Sequence, residues 1–160
     1  MEFKNTNLKI IGISAYYHDS AAALIVNGEI ISACQEERFT RKKHDSSFPY
    51  NSIKFCLENS NLSILDIDYF VYYEKPLLTF ERLLETYLGV APRGIRSFIS
   101  AMQVWLKKKL FLKNEIIKNL NKINQSFESK SNKKIKFTNI LFSEHHLSHA
   151  ASAFFPSPFK

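Results

Sequence analysis

Three groups of side chains in this sequence can hold an ion, move a proton or neutralise an anion. The run His145-His146-Leu147-Ser148-His149 sets two imidazoles four residues apart. On a helix such residues share one face, one turn apart, so His145 and His149 can reach a common metal ion. Two neutral imidazoles suit iron or zinc, and an added carboxylate suits non-haem iron. Glu144 is the nearest carboxylate in sequence, though a ligand can equally come from elsewhere. The pattern HExxH is missing, which excludes a zinc-protease arrangement. A surface histidine cluster or a plain helix N-terminus accounts for the same letters.

The second group is Gly12-Ile13-Ser14-Ala15-Tyr16-Tyr17-His18-Asp19-Ser20-Ala21-Ala22. It falls at a tight connection between two apolar runs. Turn amides and small residues let an anion approach the backbone. His18 can donate to a phosphate or other acceptor oxygen, or take a proton from an attacking hydroxyl. Ser14, Asp19 and Ser20 supply two hydroxyls and a carboxylate. A simple turn, with Asp19 capping amides and His18 exposed, fits equally. The third group is the charged run Glu36 to Asp45 (EERFTRKKHD). Its successive Arg41, Lys42, Lys43 and His44 suit a phosphorylated ligand, and also suit a solvated charge run with internal ion pairs. Arg82 and Arg93 are anion clamps or ordinary surface arginines.

The elements that must position these groups follow from periodicity. Leu8–Ser14, Ala21–Val26 and Glu29–Cys34 read as strands. Asn27-Gly28 joins the last two, and this dipeptide accepts the positive φ of a type I′ turn at both centres. The product is an antiparallel meander. Gln35–Ser47 reads as a loop or strand end, Tyr50–Asn59 as a short helix and Asp68–Tyr73 as a fourth strand. Leu77–Leu88 has helical spacing, broken by Gly89–Gly94. Ile95, Phe98, Ile99, Met102, Trp105, Leu106, Leu110, Ile117 and Leu120 extend a longer amphipathic helix. Gln125–Lys134 reads as a surface loop, Ile135–Phe142 as a fifth strand, and His145–Phe155 as a helix stopped by Pro156 and Pro158. The order β-β-β-α-β-α-β-α predicts an α/β fold with a mixed sheet. It is the arrangement of a ribonuclease-H-like lobe, the half-unit of the actin/hexokinase/Hsp70 superfamily.

Composition sets the outer bounds. The 160 residues suffice for one cored domain, and 45% are hydrophobic. Only 4 Gly and 5 Pro are present, which excludes a flexible-linker composition. Cys34 and Cys56 form no CxxC pair, so a disulfide framework or zinc ribbon is excluded and a reducing cytoplasm is expected. No apolar stretch approaches a membrane span, and the N-terminal residues lack a signal-peptide pattern. The net charge of +7 is the sole argument for nucleic acid binding. Many of the lysines fall between Lys107 and Lys136, on what reads as a solvated helix face and loop, so neither nucleic acid nor membrane is expected as a partner.

Three segments together resemble the front of the NodU/CmcH-type carbamoyltransferases. They are GISAYYHDSAAALIVNGEIISACQEERFTRKKHDSSFP (Gly12 to Pro49), YYEKPLLTFERLL (Tyr72 to Leu84) and SEHHLSHAASAFFPSPF (Ser143 to Phe159). The resemblance implies an enzyme in two parts. Carbamoyl phosphate and ATP give a carbamoyl-adenylate in a YrdC-like part, and the carbamoyl group then passes to a hydroxyl of a sugar or antibiotic-type substrate in the N-terminal part. It implies iron or zinc at His145 and His149, catalytic roles for His18 and Lys43, and substrate or phosphate contacts from Ser14, Asp19 and Arg82. It also implies that residues 1–160 are the first lobe of the carbamoyl-transfer domain, with the second lobe and the YrdC-like domain beyond Lys160. Those missing parts would be partners of this piece, and alone it would bind metal weakly and turn nothing over. The competing expectation is a truncated lobe acting as a metal-binding or regulatory subunit. The enzyme reading makes one spatial demand: His18, Lys43 and the imidazole pair must meet at a common cleft.

Overall fold

The computed structural model describes residues 7–108, 111–127 and 135–158. Strands β1 (Lys9–Ser14), β2 (Ala21–Val26) and β3 (Glu29–Gln35) form the antiparallel meander. Asn27 and Gly28 hold φ of 54° and 88°, the left-handed pair a type I′ turn needs. The Asn27 side chain also accepts from the Leu8 amide at 2.9 Å, which ties the turn to the start of β1. Two further strands, β4 (Tyr69–Tyr72) and β5 (Ile140–Phe142), add in parallel beside β1, giving the order β3-β2-β1-β4-β5. The sheet is therefore mixed, within an α/β architecture.

Among the described residues six α-helices accompany it: α1 (Glu37–Thr40), α2 (Tyr50–Asn59), α3 (Pro76–Val90), α4 (Ile95–Lys108), α5 (Leu112–Phe127) and α6 (His145–Phe154). Alternation along β1 sends Ile11 and Ile13 into the core, where they join Leu24, Phe70 and Ile140 from the neighbouring strands. Helix α2 adds Ile53, Cys56 and Leu57, and α5 adds Leu112, Ile116, Leu120 and Ile123 at steps of three and four residues. Each such side chain stabilises the fold by roughly 1.5–3 kcal/mol through burial.

Several expected boundaries move. The single helix expected through Leu120 is two helices. Its apolar spacing continues across the junction, but the two faces differ: α5 is sunk in the core, whereas Ile95 and Ile99 of α4 stay about half exposed. Periodicity defines a face without defining the direction of the axis. Leu110 and most of the expected loop Gln125–Lys134 lie outside the described residues, and α5 runs into the start of that loop, to Phe127. The fifth strand is shorter than Ile135–Phe142, because Phe137–Asn139 forms a 3-10 turn. There the Asn139 amide donates to the Lys136 carbonyl at 3.1 Å and its side chain donates to the Asp68 carbonyl at 2.7 Å, a local alternative to ladder bonding. The expected loop Gln35–Ser47 contains α1, closed by Arg41 at φ 57°.

The register explains where function can sit. Ser14 pairs with Ala21, and Ala21 with Gln35. On the other side Ile13 pairs with Tyr72, and Tyr72 with Phe142. The exits of β1, β3, β4 and β5 and the entry of β2 therefore share one edge of the sheet. That edge is the carboxyl end of the three parallel strands, where open α/β sheets bind ligands.

Candidate functional site

Every sequence-expected site residue lies on the segments that leave this edge or at their junctions. Ser14 is the last residue of β1. His18 and Asp19 lie in the turn to β2, Lys43 lies in the segment after β3, and His145 and His149 lie on α6, which follows β5. Arg82 lies on α3, which follows β4. It lines a small open depression with Lys75, Glu144, His145 and His146.

The β1–β2 turn and the 41–49 segment are bonded into one unit. The Tyr16 and Ser20 amides donate to the carbonyls of Ser46 and Asp45, each at 2.8 Å, and the Ser20 hydroxyl donates to the Ser47 carbonyl. Lys43 is exposed and sits beside His44 within that unit. Asp19 is bracketed by two imidazoles: His18 Nδ1 is 2.9 Å from one carboxylate oxygen and His44 Nδ1 is 2.9 Å from the other. The bond from His44, followed by that from His18, holds the Asp19 carboxyl below its ordinary range. An ionised carboxylate only accepts, so both Nδ1 atoms must carry the proton. A neutral His18 therefore presents Nε2 as a bare lone pair, the form a general base needs.

Asp45 is buried beneath the same segment. The Ser47 amide, then the Ser47 and Thr40 side chains, hold its carboxyl down to about 2 from an ordinary 3.8. A folded value below the unfolded one stabilises the protein above the unfolded value and is lost as pH falls toward the folded one. Stability should therefore decline between pH 3.8 and about 2. Asp45→Asn should be less stable at neutral pH and flatter across that window, as read from urea midpoints at each pH.

Around the histidine pair, Ser148 does the positioning. Its hydroxyl lies 3.0 Å from the Tyr73 carbonyl and 2.9 Å from Ser143 Oγ, which fastens the first turns of α6 to the exits of β4 and β5. His145 and His149 face each other with Nε2 atoms 3.1 Å apart. Two metal–nitrogen bonds of about 2.0–2.1 Å, opened by roughly 90–110°, place their nitrogens about 2.8–3.4 Å apart, so the pair has the spacing of two ligands on one ion. His145 Nδ1 is buried without a hydrogen-bond partner. Among the described residues no third His, Cys, Asp or Glu completes a metal-binding group.

An aromatic ring stands beside an imidazole on each half of the edge. The Tyr17 and His18 rings lie 4.6 Å apart, and the Tyr73 and His145 rings 5.6 Å apart. Tyr17 and Tyr73 also feel each other electrostatically, as a minor contribution to an upward shift of the Tyr73 hydroxyl that desolvation dominates. The Tyr72 hydroxyl donates to the Ala15 carbonyl at 2.7 Å beneath them. Sequence reasoning gave no role to Tyr73 or Ser148, and read His44 as one member of a run suited to a phosphorylated ligand, not as a partner of Asp19. Only His44 left a signal, as an imidazole next to an acid at the end of a cationic run.

Among the described residues no helix is long and apolar enough to cross a membrane. Residues 9–160 match the family described as carbamoyltransferase N-terminus. The chain is 59% identical over 150 residues to the uncharacterized protein sll1178 of Synechocystis sp., covering 94% of this chain and 23% of that protein. It is 33% identical over 150 residues to the nodulation protein NolNO of Sinorhizobium fredii, covering 92% of this chain and 19% of that protein. It thus spans about a fifth to a quarter of the length of these curated relatives. With the family match running through all three site segments, the chain belongs to the carbamoyltransferase N-terminus family.

Proposed function

We propose that this chain supplies the acceptor side of an O-carbamoyl transfer site, in which a carbamoyl group made from carbamoyl phosphate and ATP as a carbamoyl-adenylate passes to a hydroxyl of a sugar or antibiotic-type substrate. The observation that carries this reading is the shared sheet edge, which gathers the His18 turn, the Lys43 segment and the His145–His149 pair. The meander with two added parallel strands supports a ribonuclease-H-like lobe. His18 Nε2 takes the acceptor proton while the hydroxyl oxygen bonds to the carbamoyl carbon and the carbon–oxygen bond to the adenylate phosphate breaks. Lys43 and Arg82 offset charge on the departing phosphate, and Ser14 and Asp19 line the β1 side. His145 and His149 would hold a divalent iron or zinc ion, which supplies Lewis-acid stabilisation of an anionic oxygen.

Incubating the iron-loaded full protein with carbamoyl phosphate, ATP and candidate sugars, followed by mass spectrometry, should show acceptor carbamoylation. A folded, metal-loaded protein that modifies no hydroxyl would count against the proposal. Titration with iron or zinc should separately show binding that His149→Ala weakens by more than the roughly 10–100-fold cost of losing an outer-shell partner. Equal affinity in the variant would remove the metal assignment alone.

A further inference from the structure

His44 has no part in the mechanism above, yet it makes a long-range contact to the Asp19 carboxylate in the His18 turn. His18 and Asp19 are sequence neighbours on an exposed turn, with side chains 62% and 37% exposed. A contact between adjacent side chains cannot by itself orient either one relative to the rest of the edge. His44 comes from 25 residues away. Its own backbone is held: the His44 amide donates to Glu37 at 3.3 Å, and the segment is bonded to the turn through Ser46 and Asp45. Both Asp19 and His44 occupy left-handed backbone, at φ 48° and 55°. Non-glycine residues in that region persist only when their surroundings over-determine them. These constraints meet in one place, the second oxygen of Asp19.

We propose that His44 is a positioning residue that pins the Asp19 carboxylate, so that His18 presents a bare Nε2 to the acceptor hydroxyl; the last clause rests on the carbamoyl-transfer reading of this edge. Released from His44, the carboxylate rotates into solvent and His18 is free to flip and exchange tautomers. Remote restraint of a catalytic base then becomes a rate effect without a binding effect.

Two substitutions separate the donor from the backbone. Asparagine and glycine both tolerate positive φ, but only asparagine can still donate to Asp19. Long-range proton–nitrogen NMR on the full chain, above the pH at which the rings lose their charge, reads the His18 tautomer directly. The wild type and His44→Asn should show His18 protonated at Nδ1. His44→Gly should show a mixture containing the Nε2–H form. In the transfer assay His44→Gly should lose roughly tenfold in kcat, the equivalent of one charge-assisted hydrogen bond. KM should be unchanged and the rate largely restored in His44→Asn. A His18 that stays locked at Nδ1–H in His44→Gly overturns the proposal, as do equal rate losses in the two variants. Should His44→Gly unfold, Asp19→Asn decides. Its amide turns an NH₂ donor toward one of the two rings, which should then accept at Nδ1 and carry its proton at Nε2, and two unchanged rings again overturn the proposal. A wild type without transferase activity sinks the carbamoyl-transfer reading, while the ring nitrogens still decide whether His44 positions His18.

Discussion

Replacing Glu36 with alanine should lower the unfolding free energy by roughly 2–5 kcal/mol. The side chain is 1% exposed, and its carboxylate accepts four hydrogen bonds at the N-terminus of α2. The Asn51 amide and side chain donate to one oxygen at 3.1 and 2.7 Å. The Ser52 amide and hydroxyl donate to the other, both at 2.8 Å. Truncation leaves the Ser52 donors buried without an acceptor, and an unmet buried donor costs about 1–3 kcal/mol. It also removes a negative charge from the positive end of a helix. Glu36→Gln should not restore the loss, because its NH₂ would face donors on one side. Urea unfolding checks both: the midpoint should fall while the slope is unchanged. The effect should reach the site as well, since Glu36 lies between β3 and the segment that carries Lys43 and His44.

Replacing His18 with asparagine should slow carbamoyl transfer by about 10²–10⁴, the usual contribution of a positioned general base. The asparagine amide can still donate to Asp19, so the turn keeps its bonding while the basic nitrogen is lost. KM for the acceptor and metal content should stay near wild type, because the lost interaction belongs to the transition state. Steady-state kinetics with matched metal loading provides the comparison. A variant with full kcat would move the base to another residue.

The parts of this fold that could be read beforehand are those set by local chemistry. β2 and α2 fall at Ala21–Val26 and Tyr50–Asn59 as expected, and the turn at Asn27-Gly28 follows from the backbone freedom of those two residues. The parallel pairing of β4 and β5 follows from the intervening helices. Helix α1 was hidden because four residues show no period. The break before α5 was hidden because its apolar spacing never falters. Within the site, the histidine spacing on α6 was legible, since a helix turn fixes it. The bracket on Asp19 was not: it joins residues 25 apart. Nor was the Asn119 side chain's bond to the Tyr16 hydroxyl, 3.0 Å long and 103 residues apart in sequence. Sequence patterns describe what a segment does alone, and such contacts exist only once the segments meet.

The three-residue strand β5 has a further consequence for how the imidazole pair comes to exist. The β1–β3 meander closes through short connections, whereas β4 and β5 meet only after α3, α4 and α5 have formed between them, and distant pairings form slowly. Helix α6 buries no side chain of its own and depends on that last-formed rung and on Ser148. The topology thus predicts an order of assembly: the meander that carries the His18 turn closes through short connections, and the helix that carries the imidazole pair docks after the longest one. Amide exchange should be faster on β5 than on β1, and His145 and His149 should lose their shared geometry before the rest of the sheet opens.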